Sequence, residues 1–175
     1  RAEKRLSILV PVVLVIIFVL IYFQFRSAKS TFLVFSGIAV AFAGGFIMIW
    51  LYGQDWFLDF SLFGAEMREL FQIKTVYLSV AVWVGFIALF GIATDDGVIM
   101  TTYLTQVFAK NNPKTRQEIR HSVIEAGSKR IRPCLMTTAT TLLALLPILT
   151  STGRGSDVMA PMAIPLFGGM LMEII

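Results

Sequence analysis

Two adjacent acids, Asp95 and Asp96, sit in a stretch from Val76 to about Phe108 that is otherwise apolar apart from a few hydroxyls. An ionised side chain at the centre of a bilayer costs about 2.5–3.5 kcal/mol on insertion scales, so two neighbouring acids there need a reason. A carboxyl in such a place can load a proton on one side of the membrane and release it on the other. The alternative is a pair near a helix end, wetted by the interface, because the run Val76–Ala93 is itself apolar enough to span. Successive helical residues point about 100° apart, so the two acids cannot both face one partner. Gly91 and Gly97 flank them and leave room for another helix, and Thr94, Thr101 and Thr102 supply hydroxyls nearby.

A second group is Thr137, Thr138, Thr140 and Thr141, with Cys134 one turn before Thr138. Hydroxyls inside lipid either bridge helices, line a water path, or bond to their own backbone. Cys134 reads as a small buried hydrophobe, with metal or redox use the alternative. As the only cysteine it can form no intrachain disulfide. The eight methionines (Met48, Met67, Met100, Met136, Met159, Met162, Met170, Met172) offer thioethers suited to Cu(I), but without a repeated short spacing. His121 lies in a basic segment and reads as solvated. No glycine-rich phosphate loop is present, so ATP use is not supported, and no cofactor is implied.

These residues must be positioned by membrane helices. The chain has 175 residues, 57% of them hydrophobic and only 15% charged, with a mean hydropathy of +0.78. A soluble domain carries about 25% charged residues. There is too little polar surface to coat a water-soluble globule, so the expected class is an all-α membrane protein. Spans are expected at about 6–25, 31–52, 82–108, 133–149 and 158–175, each near the roughly 20 apolar residues that cross a bilayer. Pro11 lies in the first turns of its span, where a missing N–H costs little. Pro147 is expected to kink or interrupt the fourth. Residues 55–74 mix Trp56, Phe57, Phe60, Phe63 and Phe71 with Asp55, Asp59, Glu66, Arg68, Glu69 and Lys74. That mixture suits an interfacial helix or a folded connection at the membrane surface. The chain starts at Arg1 and closes on an apolar run, and it reads as a piece of a larger membrane protein.

Residues 110–132 form the strongly polar segment. Seven Lys or Arg (Lys110, Lys114, Arg116, Arg120, Lys129, Arg130, Arg132) stand against Glu118 and Glu125. Asn112-Pro113 is a helix-start signal. Ile119, Val123 and Ala126 then recur at helical spacing, which predicts an amphipathic helix on the membrane surface. With Arg26 and Lys29, this segment should face the cytoplasm, and residues 53–75 and 150–157 the other side. Arg1, Lys4 and Arg5 then fall on the non-cytoplasmic side, against the charge rule, which a large exported domain before them would explain. The net charge of +4 comes mostly from this one connection, and nucleic-acid binding is not expected.

Several motifs are recognisable in order along the chain: Gly91-Ile-Ala-Thr-Asp95-Asp-Gly-Val-Ile-Met100, Asn111-Asn-Pro113, Arg130-Ile-Arg-Pro133, Met136-Thr-Thr138, Leu145-Leu-Pro-Ile148, Thr152-Gly-Arg-Gly-Ser-Asp-Val-Met159 and Gly168-Gly-Met170. Together they resemble the heavy-metal efflux branch of the resistance-nodulation-division (RND) transporters, the CusA/CzcA type. The resemblance implies part of the RND transmembrane bundle, helices eight to twelve of twelve with the last truncated, and a periplasmic domain before it. It implies a multi-pass protein of the bacterial inner membrane. The partners implied are a metal cation, protons, the lipid bilayer and a homotrimer with a periplasmic adaptor and an outer-membrane channel. In copper- and silver-exporting members a glutamate matching Asp95 belongs to the proton relay, so that role carries over. Those members have a lysine directly after Arg-x-Arg-Pro, where this chain has Cys134; Asp96 or Thr138 is the expected compensation. Met159 matches a methionine of a metal-handling pair.

The expected function is therefore a proton-driven permease subunit, a secondary transporter rather than an enzyme. It would export heavy-metal cations, Cu(I) or Ag(I) before divalent ions, with Asp95, Asp96 and Thr138 in the relay and Met159 touching the ion. Rival readings are an RND exporter of organic compounds and a structural membrane subunit. An intramembrane aspartyl protease needs aspartates converging from separate helices, and this pair is adjacent on one.

Overall fold

The computed structural model describes residues 2–59, 61–62, 65–71, 73, 75–113 and 115–174. Arg1, Phe60, Phe63, Lys74 and Lys114, and the side chains of Lys4 and Arg5, lie outside what is described. The elements are α1 (Ala2–Phe25), α2 (Ala28–Tyr52), a two-strand turn of β1 (Ser61–Leu62) and β2 (Ala65–Glu66), α3 (Met67–Leu70), α4 (Val80–Asn111), α5 (Arg116–Leu149) and α6 (Ser156–Ile174). Among the described residues, all but α3 of these helices are long and apolar enough to cross a membrane. The all-α membrane class expected from composition is what the chain folds into.

Local chemistry sets the breaks. Arg26 adopts φ 49°, which turns the chain between α1 and α2. α2 is then tied to the turn by Thr31, whose hydroxyl donates to Ser27 O at 3.0 Å. Asn112, at φ 40°, closes α4 in the left-handed conformation that asparagine tolerates. The start of α5 differs from expectation. It is capped by Thr115 rather than by the Asn112-Pro113 pair, and Glu118 accepts a hydrogen bond from Thr115 N at 3.2 Å.

From there α5 runs unbroken through Arg132, Pro133 and Pro147 to Leu149. The basic segment and the fourth span are thus one helix of 34 residues, about 51 Å long and well beyond the roughly 30 Å hydrocarbon core. The change of polarity at Pro133 does not stop the helix, because backbone bonding is indifferent to whether the side chains face water or lipid. On the polar part, Lys129 donates to Glu125 Oε1 at 2.9 Å, which holds the Glu125 carboxyl below the usual carboxylate range. Arg130 lies 4.7 Å over the Tyr103 ring.

The 53–79 connection is folded rather than a surface helix. Among the described residues of the connection only the single turn α3 is helical, and Arg68 reaches back to Asp55, donating to its carbonyl oxygen and pairing with its carboxylate at 3.6 Å. The connection shares a polar hollow with Thr152, Gly153, Ser156 and Asp157. The two segments expected on the non-cytoplasmic side therefore meet at one end of the bundle.

The core is the junction of α2, α4 and α6. α6 packs against α2, α4 and α5, and its contact with α2 is the most extensive. Glycines make this possible. A Cβ on Gly44 would lie 2.6 Å from Met172 Cβ, one on Gly45 2.5 Å from Phe86 Cε1, and one on Gly168 would overlap Met48. Gly85 of α4 faces Met162 O and Pro165, where the two prolines of α6 weaken its own ladder. Beside this seam, Phe42, Phe46 and Phe86 pack edge-to-face or tilted, with centroids 4.7–5.0 Å apart. Gly37, one helical stretch earlier on α2, has nothing within 4 Å of where its Cβ would stand.

Candidate functional site

Asp95 and Asp96 lie at the sixteenth and seventeenth positions of the 32-residue α4, midway along it. Both line a cavity of about 610 Å³ between α4, α5 and α6. α5 contributes Arg130, Cys134, Thr137, Thr138 and Thr141 to its wall, and α6 contributes Met170. Asp95 is exposed and Asp96 half-buried, as the 100° step between neighbours requires.

The flanking glycines divide the work. Gly97 lies against Val34 of α2, a Cβ there standing 3.0 Å from its Cγ1, whereas Gly91 has nothing within 4 Å and opens onto the cavity. Only Gly97 therefore permits a close helix approach.

The structure brings Thr138 to this cavity, buried to 2% exposure. Its hydroxyl donates to Cys134 O at 2.9 Å. The other hydroxyls behave alike: Thr137 to Cys134 O at 2.8 Å, Thr140 to Met136 O at 2.7 Å and Thr141 to Thr137 O at 2.8 Å. Each spends its proton on its own helix, which leaves the oxygen lone pairs of Thr137, Thr138 and Thr141 for the cavity that they line. Thr94 does the same with Phe90 O. Cys134 is half-buried rather than buried, and its thiol shares the cavity wall with the Asp96 carboxylate, close enough to interact with it. A small polar group thus occupies the side of Asp96 where the resemblance would have placed a cation.

Met159 is not brought to the site. It lies in the first turn of α6, 59% exposed, at the opposite end of that helix from Met170. Among the described residues no group of three or more His, Cys, Asp or Glu stands close enough together to hold a metal ion. His121 is exposed on the polar part of α5.

One acid beside the site is not singled out by the motifs. Glu173, near the end of α6, lies within electrostatic reach of both Asp96 and Cys134. A signal for it exists: it is an acid in an otherwise apolar span, as Asp95 and Asp96 are. It lies beside the terminus, where an apolar run reads simply as a truncated helix.

The motif carrying the paired aspartates, and the whole of the cavity wall, fall within residues 58–175, which match the AcrB/AcrD/AcrF family. The chain belongs to that family. As a member of the AcrB/AcrD/AcrF family it is similar over 98% of its length to the cation efflux system protein CusA of Escherichia coli (strain K12), at 38% identity. It is 34% identical, again over 98%, to the putative cation efflux system protein SilA of Salmonella typhimurium. To the cobalt-zinc-cadmium resistance protein CzcA of Cupriavidus metallidurans it is 31% identical over 97%. The chain spans only 14–15% of the length of these curated relatives. The resemblance read from the motifs is borne out, and it is to members named for cation efflux and metal resistance.

Proposed function

We propose that this chain is the C-terminal transmembrane part of a proton-driven permease that exports heavy-metal cations from the bacterial inner membrane. The observation that carries the reading is the pair Asp95 and Asp96 halfway along a membrane-length helix, facing a cavity walled by Cys134 and Thr138. Carboxyls held at that depth are costly unless they serve transport. Asp95, the more open of the two, accepts the proton; Asp96, with the Cys134 thiol on it, is the inner acid; Thr138 offers a lone pair on the path between helices.

Coupling follows from the packing. α4 is clamped to α2 and α6 by the glycine and phenylalanine seam, while its other face borders the cavity. Neutralising a carboxyl there removes a charge that the cavity must otherwise keep hydrated, so the proton biases α5 toward or away from α4. That bias is the differential interaction a coupled transporter needs. Through it, the helices would drive a periplasmic domain, in a homotrimer joined to an adaptor and an outer-membrane channel.

The cargo is proposed to be a soft monovalent cation, Cu(I) or Ag(I), before divalent ions. Support comes from the exposed thioether of Met159, a soft donor at the non-cytoplasmic end of α6, and from the higher identity to CusA than to CzcA.

The test is Asp95→Asn in the full-length protein of a strain lacking other exporters, grown on copper, silver, zinc, cobalt and cadmium salts. Loss of resistance to copper and silver at normal membrane levels is expected. Undiminished resistance would sink the relay role, and loss confined to zinc, cobalt or cadmium would overturn the cargo.

A further inference from the structure

Glu173 is not needed to span a membrane, and its surroundings are unusual for a carboxylate. It follows Met170 by one helical turn, so it shares the face of α6 that Met170, 1% exposed, turns to the cavity. Its Oε2 is buried and has no hydrogen-bond partner among the described residues. The backbone that carries it cannot swing away, because neighbouring Met172 is pressed against Gly44 and Gly168 against Met48 and Gly44 O.

Depth brings Glu173 level with the other groups. At 1.5 Å per residue, Asp96 lies about 24 Å from the start of α4, Cys134 about 22 Å from the end of α5, and Glu173 about 26 Å from the start of α6. All three helix ends belong to the face where the 53–79 and 150–155 connections meet. Three helices thus deliver an acid, a thiol and a second acid to one layer.

The groups that face Glu173 can be named from each neighbour. α4 presents Asp96 and α5 presents Cys134. The α2 residues against this part of α6 are Ala41, Gly44 and Met48, which meet Gly168, Gly169 and Met172, and none of them titrates. The cation on the cavity wall, Arg130 of α5, lies one turn from Cys134 and over the Tyr103 ring.

We propose that Glu173 is a second proton-exchanging acid of the transport cycle, sharing one proton with Asp96 across the α4–α6 contact. When Asp96 is ionised, the proton resides on Glu173, whose O–H supplies a donor for the layer. When the proton moves, the O–H bond on Glu173 breaks and one forms on an Asp96 oxygen, directly or through the Cys134 thiol, which gives up its own proton as it receives another. The pair keeps a single negative charge throughout, so no second uncompensated charge enters the low-dielectric layer. Two carboxylates held together share a proton for the same reason in other proteins.

This inference rests on the proton-driven reading, and the test separates the two. The full-length permease is reconstituted in vesicles with an imposed pH difference, and Cu(I)-dependent proton flux is followed against pH for wild type, Asp95→Asn, Glu173→Gln and Glu173→Asp. Glu173→Gln keeps the shape and should lower flux at least tenfold and displace its pH profile, while Glu173→Asp restores most of it. A purely structural or snorkelling role predicts wild-type flux and profile in Glu173→Gln, and that outcome overturns the proposal. If Asp95→Asn is as active as wild type, the proton-driven reading fails. If Asp95→Asn is dead and Glu173→Gln is unaltered, only the role of Glu173 fails. Should Glu173→Gln not fold, infrared difference spectra of the wild type across pH decide instead. Two carboxyl bands that titrate as a coupled pair are expected there, and independent titration of each acid overturns the proposal.

Discussion

The two faces of α4 are built on opposite rules. Toward α2 and α6 it is packed without space: Val82, Phe86 and Leu89 are wholly buried, and glycines on three helices stand where any side chain would collide. Toward α5 it leaves a cavity of about 610 Å³ with two acids, a thiol and hydroxyls on the wall. In lipid there is little hydrophobic force between helices, so the tight face relies on dispersion and close backbone approach, which only small residues permit. The loose face gives that up and gains room for protons and water. One helix thus presents a closed, packed face on one side and an open, polar wall on the other.

Breaking the tight face should cost the most. Phe86→Ala removes a ring that meets Phe42, Phe46, Trp83 and Phe90, and should destabilise the protein by about 3–5 kcal/mol. Thermal unfolding of the purified full-length protein measures this. Gly168→Ala should cost about 1–3 kcal/mol in the same assay, because its Cβ meets Met48 and the backbone oxygen Gly44 O at 2.8 Å. The loose face should respond the other way. Thr138→Val keeps the volume and breaks only a bond to its own helix, so stability should change by about 1 kcal/mol or less. Metal-coupled proton flux should fall severalfold; unchanged flux would show the hydroxyl to be packing alone. Gly91→Ala should have the smallest effect of all. It lies on the same helix as Gly85 but with open space around it, and stability should shift by less than about 0.5 kcal/mol. A loss as large as that of Gly168→Ala would mean the cavity face is packed after all.

Much of the site is legible in the residues. Asp95 and Asp96 announce themselves, because a charge in an apolar helix is an exception that needs no neighbour to be seen. Thr138 and Cys134 are placed near each other by a four-residue step along one helix. The glycines are legible as a class but not one by one. Gly44 and Gly45 meet α6 while Gly37 meets nothing, since which face of α2 turns inward is decided by the partner. Residues 110–132 read as a separate surface helix because their polarity differs from that of residues 133–149, yet the backbone ladder continues through Pro133. Glu173 shows in the sequence only as an acid in an apolar span beside the terminus, because its neighbours Asp96 and Cys134 lie on two other helices.

That the chain is a set of membrane helices, roughly where they lie, and that acids stand within one of them can all be read without a fold. Hydropathy is a local sum over some 20 residues and needs no knowledge of what packs against it. Which faces close and which stay open, and the meeting of Glu173 with Asp96 and Cys134 in one layer, come from the packed bundle alone. Each residue turns a helix face by 100°, so the direction in which a side chain points between helices is settled by the neighbours that the helix packs against.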